Sequence, residues 1–487
     1  MLLRHIYHQP LAQASYLVGC AATGEALVVD PNRDIDHYLA LAAREGLRIT
    51  AVTETHIHAD FVSGARELAA RTGAQVYLSD EGPAAWKYAW AADARATLLH
   101  DGDHFMVGNV RVEALHTPGH TPEHLSFLVT DTAGANEPMG IFSGDVVFVG
   151  DVGRPDLLEK AAGVAGSTDQ AARQLFRSLQ RFRDLPAYLQ VWPGHGAGSA
   201  CGRALGAVPQ STVGYETRFN WAFAIHDEDA FVQAVLQDQP APPRYFAQMK
   251  RVNKLGPPLT TDLPPVELLA LAQLAGELAL GTVIVDTRPA EQFAAGHIPG
   301  TLNLATDADV LTWAGWLLPF DQPFALIAEP QIVAETVALL RMIGLDTIAG
   351  FWTPAALTAW AADHGPLATI ARAAPERVRP LIDRGAVTMV DVRTPQEYRG
   401  GHIRGSRNIP LSDLPARLDE IPSDQPVVVQ CQSGVRSAIA ASLLAGRGTT
   451  QVIDLVGGLS AWLATDQPAT TTDRTPAAAS VAVSGAA

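Results

Sequence analysis

Cysteine is nearly missing from this chain: three residues in 487, Cys20, Cys201 and Cys431, lie far apart. An odd, scattered set excludes a disulfide framework and points to a reducing, cytoplasmic setting in which each thiol is judged as a reactive site. Positive charge is also short. Lys and Arg total 35 against 51 Asp and Glu, for a formal net charge of -16 with no basic run, which argues against a nucleic-acid or anionic-membrane partner. No apolar run reaches the length needed to cross a bilayer. Leu17-Val18-Gly19-Cys20 imitates a lipoprotein cleavage box, but the preceding Ile6 to Gln13 is too polar and proline-broken for a signal core and reads as the first hairpin of the fold. With 47% hydrophobic and 18% charged residues the chain has the balance of globular domains, and its length predicts about three of them.

What is present begins with Glu54-Thr55-His56-Ile57-His58-Ala59-Asp60-Phe61, directly after the apolar run Ile49 to Val52. A buried strand followed by imidazoles and a carboxylate places candidate metal ligands on a strand-end loop, where α/β sheets bind their ligands. Three later stretches repeat the arrangement: His120 in His116-Thr117-Pro118-Gly119-His120, Asp145 in Phe142-Ser143-Gly144-Asp145, and His195 in Trp192-Pro193-Gly194-His195-Gly196. Each alone reads as a satisfied turn residue; four in succession call for a shared metal. Strands are expected at Ala26–Asp30, Gln75–Leu78, Val110–Leu115, Leu125–Val129 and Ile141–Phe142, and a helix from Ile35 to Glu45. Residues 1–250 form this unit and the proline-rich 251–265 read as a linker.

Beyond it the chain repeats itself. Val283-Ile284-Val285-Asp286-Thr287-Arg288 matches Thr388-Met389-Val390-Asp391-Val392-Arg393, and Gly296-His297-Ile298 matches Gly401-His402-Ile403. Two tandem α/β domains follow, 266–366 and 367–465, with 466–487 as a disordered tail. In the second copy Val427 to Gln430 is a strand, and Cys431-Gln432-Ser433-Gly434-Val435-Arg436-Ser437 turns into a helix. The helix N-terminus and Arg436 favour a sulfur anion at Cys431 or bind an oxyanion. Alignment on Asp-Gln-Pro sets Ala328 opposite Cys431 and Val333 opposite Arg436, so the first copy keeps the frame and loses the chemistry. It is expected to be a spacer or docking surface.

Residues 1–245, on the four motifs quoted, resemble the metallo-β-lactamase superfamily, an αββα sandwich. Phe61 stands where that family usually has a second-metal histidine, and Gly150-Asp151-Val152-Gly153-Arg154-Pro155-Asp156 also matches its persulfide dioxygenase branch. That resemblance implies one Fe(II) per chain on His56, His120 and Asp145, with His58, Asp60 and His195 as supporting groups; spacing alone does not separate His56 from His58. It also offers Arg154 as a substrate anchor, in competition with an ion pair to Asp156, with Tyr215 and Arg218 as weaker candidates and Cys201 as a thiol near the site entrance. Residues 370–465, on Asp391-Val392-Arg393, Cys431 to Ser437 and Gly457-Gly458-Leu459, resemble rhodanese.

The resulting expectation is an α/β multidomain enzyme of hydrogen sulfide detoxification. It would oxidise a low-molecular-weight persulfide, such as glutathione persulfide, with O2 to sulfite and thiol. A Cys431 persulfide would make or use thiosulfate. A homo-oligomer is expected. The alternative is a zinc thioester hydrolase of the glyoxalase II type with an attached rhodanese.

Overall fold

A computed structural model describes residues 1–160, 166–203, 205–237, 239, 242–306, 310–422, 424–449 and 451–465; the expected tail, 466–487, lies outside them. Two compact units are formed.

The first unit holds two six-stranded sheets. In order, one consists of Leu2–His8, Gln13–Cys20, Glu25–Val29, Arg48–Thr53, Gln75–Ser79 and Thr97–Leu99. The other runs Ser211–Thr212, Gln190–Pro193, Gly140–Gly144, Leu125–Asp131, Val110–His116 and His104–Val107. The period of two along each strand sorts side chains between faces. Tyr16, Val18, Leu27 and Val29 point inward against Val112, Leu125, Phe127, Phe142 and Trp192 of the second sheet. Their neighbours Leu17, Ala26 and Val28 point outward to Tyr38, Ala42 and Leu68 on helices Asp36–Arg44 and Ala65–Thr72. Ile141 and Val191 of the second sheet face Ala172, Leu175 and Leu179 of helix Ser167–Arg183. The result is helix, sheet, sheet, helix, with the core between the sheets.

Strand direction decides where the chemistry falls. Glu25–Val29 and Arg48–Thr53 are parallel, so Asp30 and the loop from Glu54 leave the same edge. Gly140–Gly144 and Gln190–Pro193 are parallel too, which brings Asp145 and His195 to one edge. The cleavage-box lookalike ends an interior strand whose every residue is buried.

The second unit contains two parallel sheets, of four strands (Leu302–Asn303, Val283–Asp286, Phe324–Ile327, Ile348–Trp352) and five (Ala371–Ala373, Val452–Leu455, Val427–Gln430, Thr388–Asp391, Arg407–Asn408). The repeated motifs are repeated bonds. Arg288 pairs with Asp286 (2.6 Å) as Arg393 does with Asp391 (2.7 Å). Asn303 donates to the carbonyls of Asp286 and Arg288, and Asn408 to those of Asp391 and Arg393. His297 and His402 each stack on the aromatic ring four positions earlier, Phe293 and Tyr398.

Two expectations about boundaries are corrected. The expected linker, 251–265, begins inside helix Tyr245–Leu255 and docks on the first unit, with Arg66 donating to the Pro257 carbonyl and Thr260 to Glu67; proline content set its backbone shape without freeing it. Helix Val310–Leu317 and residues 334–347, inside the first repeat, group with the first unit rather than with their own sheet. Truncating Phe127, fully buried between the two sheets, to alanine should lower unfolding stability by about 3–5 kcal/mol, read from denaturant midpoints.

Candidate metal centre and sulfur site

Asp145 follows strand Gly140–Gly144 and is fully buried. Its Oδ1 accepts from His195 Nδ1 at 2.8 Å, while its Oδ2 has no hydrogen-bond partner. Facing Oδ2 are His120 Nε2 at 3.5 Å and His56 Nε2 at 3.9 Å. The protons on those two rings can be traced. His120 Nδ1 lies 3.2 Å from the Arg154 carbonyl, which only accepts, so the ring's proton sits on Nδ1. Thr55 gives its hydroxyl proton to Asp30 Oδ2 (2.9 Å), so its oxygen accepts from His56 Nδ1 at 2.9 Å. Burial, above all, holds both imidazoles below their ordinary range, His56 well below it. Two nitrogen lone pairs and a carboxylate oxygen therefore converge with no proton between them. Such a group is stable around a cation, and two imidazoles with one carboxylate suit a first-row divalent metal, Fe(II) or Zn(II).

The glycines of the motifs make room for this carboxylate. A Cβ on Gly194 would stand 2.6 Å from Asp145 Oδ1, and one on Gly144 2.5 Å from His124 Nε2. His195 is the opposite case to His56. Its Nδ1 binds Asp145 and its Nε2 binds Asp60 at 2.7 Å; burial opposes charge on this ring, but the two carboxylates outweigh it and push the ring's pKa well above the usual value. Both its ring nitrogens are engaged by carboxylates.

The other sequence candidates fall around this group. His58 turns to Asp30 (Nε2 to Oδ1, 3.1 Å), and although burial lowers its pKa, Asp30 raises it to about 9. Phe61 is fully buried and packs its ring on His58, centroids 4.4 Å apart. Asp60, His195 and Cys201 bring their donor atoms within 4.8 Å of one another, and burial raises the Cys201 thiol well above its ordinary pKa. The Arg154 guanidinium is fully buried and bidentate on Asp156, both bonds 2.7 Å, so the ion pair engages it and its carbonyl serves His120. Tyr215 and Arg218 are not brought to the cluster. Helix Val213–Phe219 buries Val213 and Glu216, and the face carrying Tyr215 and Arg218 is exposed; Tyr215 lines a groove with Val149 and Thr212 that contains no cluster residue. Sequence reasoning missed Asp30, His124 and Glu123. His124 Nε2 accepts the Asp145 N–H at 3.1 Å, and Glu123, pushed up to about 7 by burial, accepts the Ile57 N–H at 2.9 Å. The carboxylate-bearing strand end at Asp30 and the second histidine of the His120 motif were the available signals.

Cys431 follows strand Val427–Gln430 and is buried at the start of helix Val435–Gly446. The Gly434 N–H donates to its Sγ at 3.1 Å. Gly458 closes over it: an added Cβ would sit 2.3 Å from the Cys431 carbonyl. Ser437 Oγ, 3.8 Å from Sγ, is held by Asp454 at 2.6 Å. The Arg436 guanidinium is engaged on Glu397 in a bidentate pair (2.8 and 2.7 Å). Opposite, Ala328 is fully buried and offers only a methyl group.

Two outcomes follow from these bonds. Thr55→Val keeps the shape and removes the acceptor for His56 Nδ1, so metal affinity, measured by chelator competition, should fall about 10–100-fold. Burial would raise the Glu397 pKa, but Arg436 holds it at about 2 against an ordinary 4.5. The lowered value adds stability above pH 4.5 that is lost as pH falls through about 2. Arg436→Ala should therefore unfold earlier in an acid titration and show a Glu397 midpoint back near 4.5.

Comparison with known proteins agrees with this architecture. The Metallo-beta-lactamase superfamily profile matches residues 8–195, and the Rhodanese-like domain profile matches 270–350 and 374–465. The crystal structure of a metallo-beta-lactamase from Staphylococcus aureus subsp. aureus COL is 45% identical, with a TM-score of 0.67 over 72% of this chain and 99% of that one. A hydroxyacylglutathione hydrolase from Rhodospirillum rubrum is 32% identical across 37% of this chain and 60% of its own length. The Bacillus subtilis protein YqhL, uncharacterized, is 50% identical across 15% of this chain and 59% of its own length. The chain thus spans about three fifths of the length of these two curated relatives. It belongs to the metallo-beta-lactamase superfamily and carries two rhodanese-like domains behind that fold.

Proposed function

We propose that the chain is an Fe(II)-dependent persulfide dioxygenase coupled to a rhodanese sulfurtransferase. The observation that carries this reading is the bare Asp145 Oδ2 facing two imidazole lone pairs, with His195 engaged on both nitrogens. That is a two-histidine, one-carboxylate set for a single metal with open positions, the donor arrangement of non-haem iron oxygenases. When bound, Fe(II) supplies sites for O2 and for a sulfur anion. His195 occupies Asp145 Oδ1, so the carboxylate presents one oxygen. Thr55 and the Arg154 carbonyl hold His56 and His120 in the ligating tautomer. The overall change, persulfide plus O2 and water to thiol and sulfite, balances without a further reductant. Cys431 complements it: its thiolate takes the outer sulfur of thiosulfate and releases sulfite, or returns that sulfur to sulfite. Sharing one chain raises the effective concentration of the intermediate.

A second reading has its own support. The likeness to a hydroxyacylglutathione hydrolase and the grouping of Asp60, His195 and Cys201 favour a two-zinc thioester hydrolase. Against it stand Phe61, which cannot ligate, and the engagement of both His195 nitrogens. Oxygen uptake with glutathione persulfide separates the two. The dioxygenase reading expects rapid uptake by the wild type, background uptake by His120→Ala, and retained uptake by Cys431→Ser with loss of thiosulfate sulfurtransferase turnover. Hydrolysis of a glutathione thioester with no oxygen uptake supports the alternative.

A further inference from the structure

The loop from Glu54 to Gly64 contains no helix or strand, yet nearly every residue in it is buried. Buried irregular backbone is stable only where its N–H and C=O groups find partners. Its first half finds them near the metal donors: the Thr55 N–H donates to Asp30 (2.6 Å) and the Ile57 N–H to Glu123 (2.9 Å). Its second half is satisfied by other elements. Asn253, buried on helix Tyr245–Leu255, donates to the carbonyls of His58 (2.8 Å) and Phe61 (2.7 Å) and accepts from the Ser63 N–H (2.9 Å). The Val62 N–H donates to the carbonyl of Met342 at 2.7 Å, the last residue of helix Pro330–Met342 in the first rhodanese copy.

That helix end is itself anchored. Arg33, 4% exposed, donates to the Arg341 carbonyl (3.0 Å), to Asp346 (2.6 Å) and to the Pro258 carbonyl (2.9 Å). Gly344, with φ +75°, comes so close that an added Cβ would lie 2.4 Å from Met249 Cε and 3.5 Å from Val62 Cγ2. A passive spacer would need none of these bonds.

We propose that residues 334–347, inside the first rhodanese copy, which has no sulfur nucleophile, act as a clamp on the metal loop. The turn after Met342 and the amide of Asn253 fix residues 58–63. They thereby fix the Asp60 carboxylate on His195 and, through His195, the oxygen that Asp145 presents. Asn253 and Gly344 are positioning residues. The proposal rests on the reading that His56, His120 and Asp145 hold the metal.

The test titrates the metal-free full chain with Co(II) alone, reading the dissociation constant by competition and the ligand-field absorption bands. Asn253→Ala and Gly344→Ala are compared with Phe182→Ala, a core truncation in the helix layer on the far side of the second sheet, at matched thermal stability. The clamp predicts affinity weakened about tenfold or more in the first two, shifted bands, and wild-type behaviour in Phe182→Ala. If Gly344→Ala does not fold, Asp346→Ala replaces it, removing the carboxylate to which Arg33 donates at 2.6 Å while leaving the turn's glycine in place. Unchanged affinity in Gly344→Ala, or in its replacement, overturns the proposal whatever Asn253→Ala does, as does an equal loss in Phe182→Ala. A wild type that takes up no Co(II) removes the metal reading and the clamp with it.

Discussion

The structure depends on one buried carboxylate. Asp145 has no access to water, and an ion there is stable only if both oxygens are compensated. His195 compensates one; the other faces two rings whose protons are committed elsewhere. Everything around it follows from that need. Gly144 and Gly194 give the backbone clearance, His124 holds the Asp145 N–H, Asp60 holds the far nitrogen of His195, and Asp30 sets the tautomer of His56 through Thr55. Parallel strand pairing brings Asp30 beside the loop from Glu54, and Asp145 beside His195.

The rhodanese pair shows the separation of frame from chemistry. Asp-x-Arg, Gly-His-Ile and the following Asn recur because they bond the same backbone groups in both copies. Those bonds hold a strand end and a turn, and they are indifferent to what sits at the catalytic position. One copy has Cys431 under a helix N-terminus and the other has Ala328. Only the copy with Cys431 has a thiol to offer, which leaves the copy with Ala328 available for packing work such as that of the turn after Met342.

Much of this was legible in the sequence because the signal was local. Strand–polar-turn alternation and glycine-flanked histidines located a mixed α/β arrangement with candidate metal ligands on one edge, and the repeat interval located two tandem α/β domains; the αββα sandwich and the rhodanese frame came from resemblance to families. What was not legible is long-range. His56 and His58 differ because Asp30, 28 residues from His58, takes the second ring, and no spacing rule contains that. The short edge strands Thr97–Leu99 and His104–Val107 are too brief to show a period. Proline at 257 and 258 suggested a linker, whereas the Pro257 and Pro258 carbonyls serve as acceptors for Arg66 and Arg33. Arg154 was offered as a substrate anchor by the resemblance, in competition with an ion pair to Asp156, and the ion pair is the arrangement found.

Metal analysis of the purified full chain, grown with iron and zinc both supplied, bears most directly on the central claim of a single oxygen-activating metal held by His56, His120 and Asp145. The account predicts about one iron per chain, the stoichiometry of a single facial triad. Two zinc ions per chain, with iron absent, would contradict it.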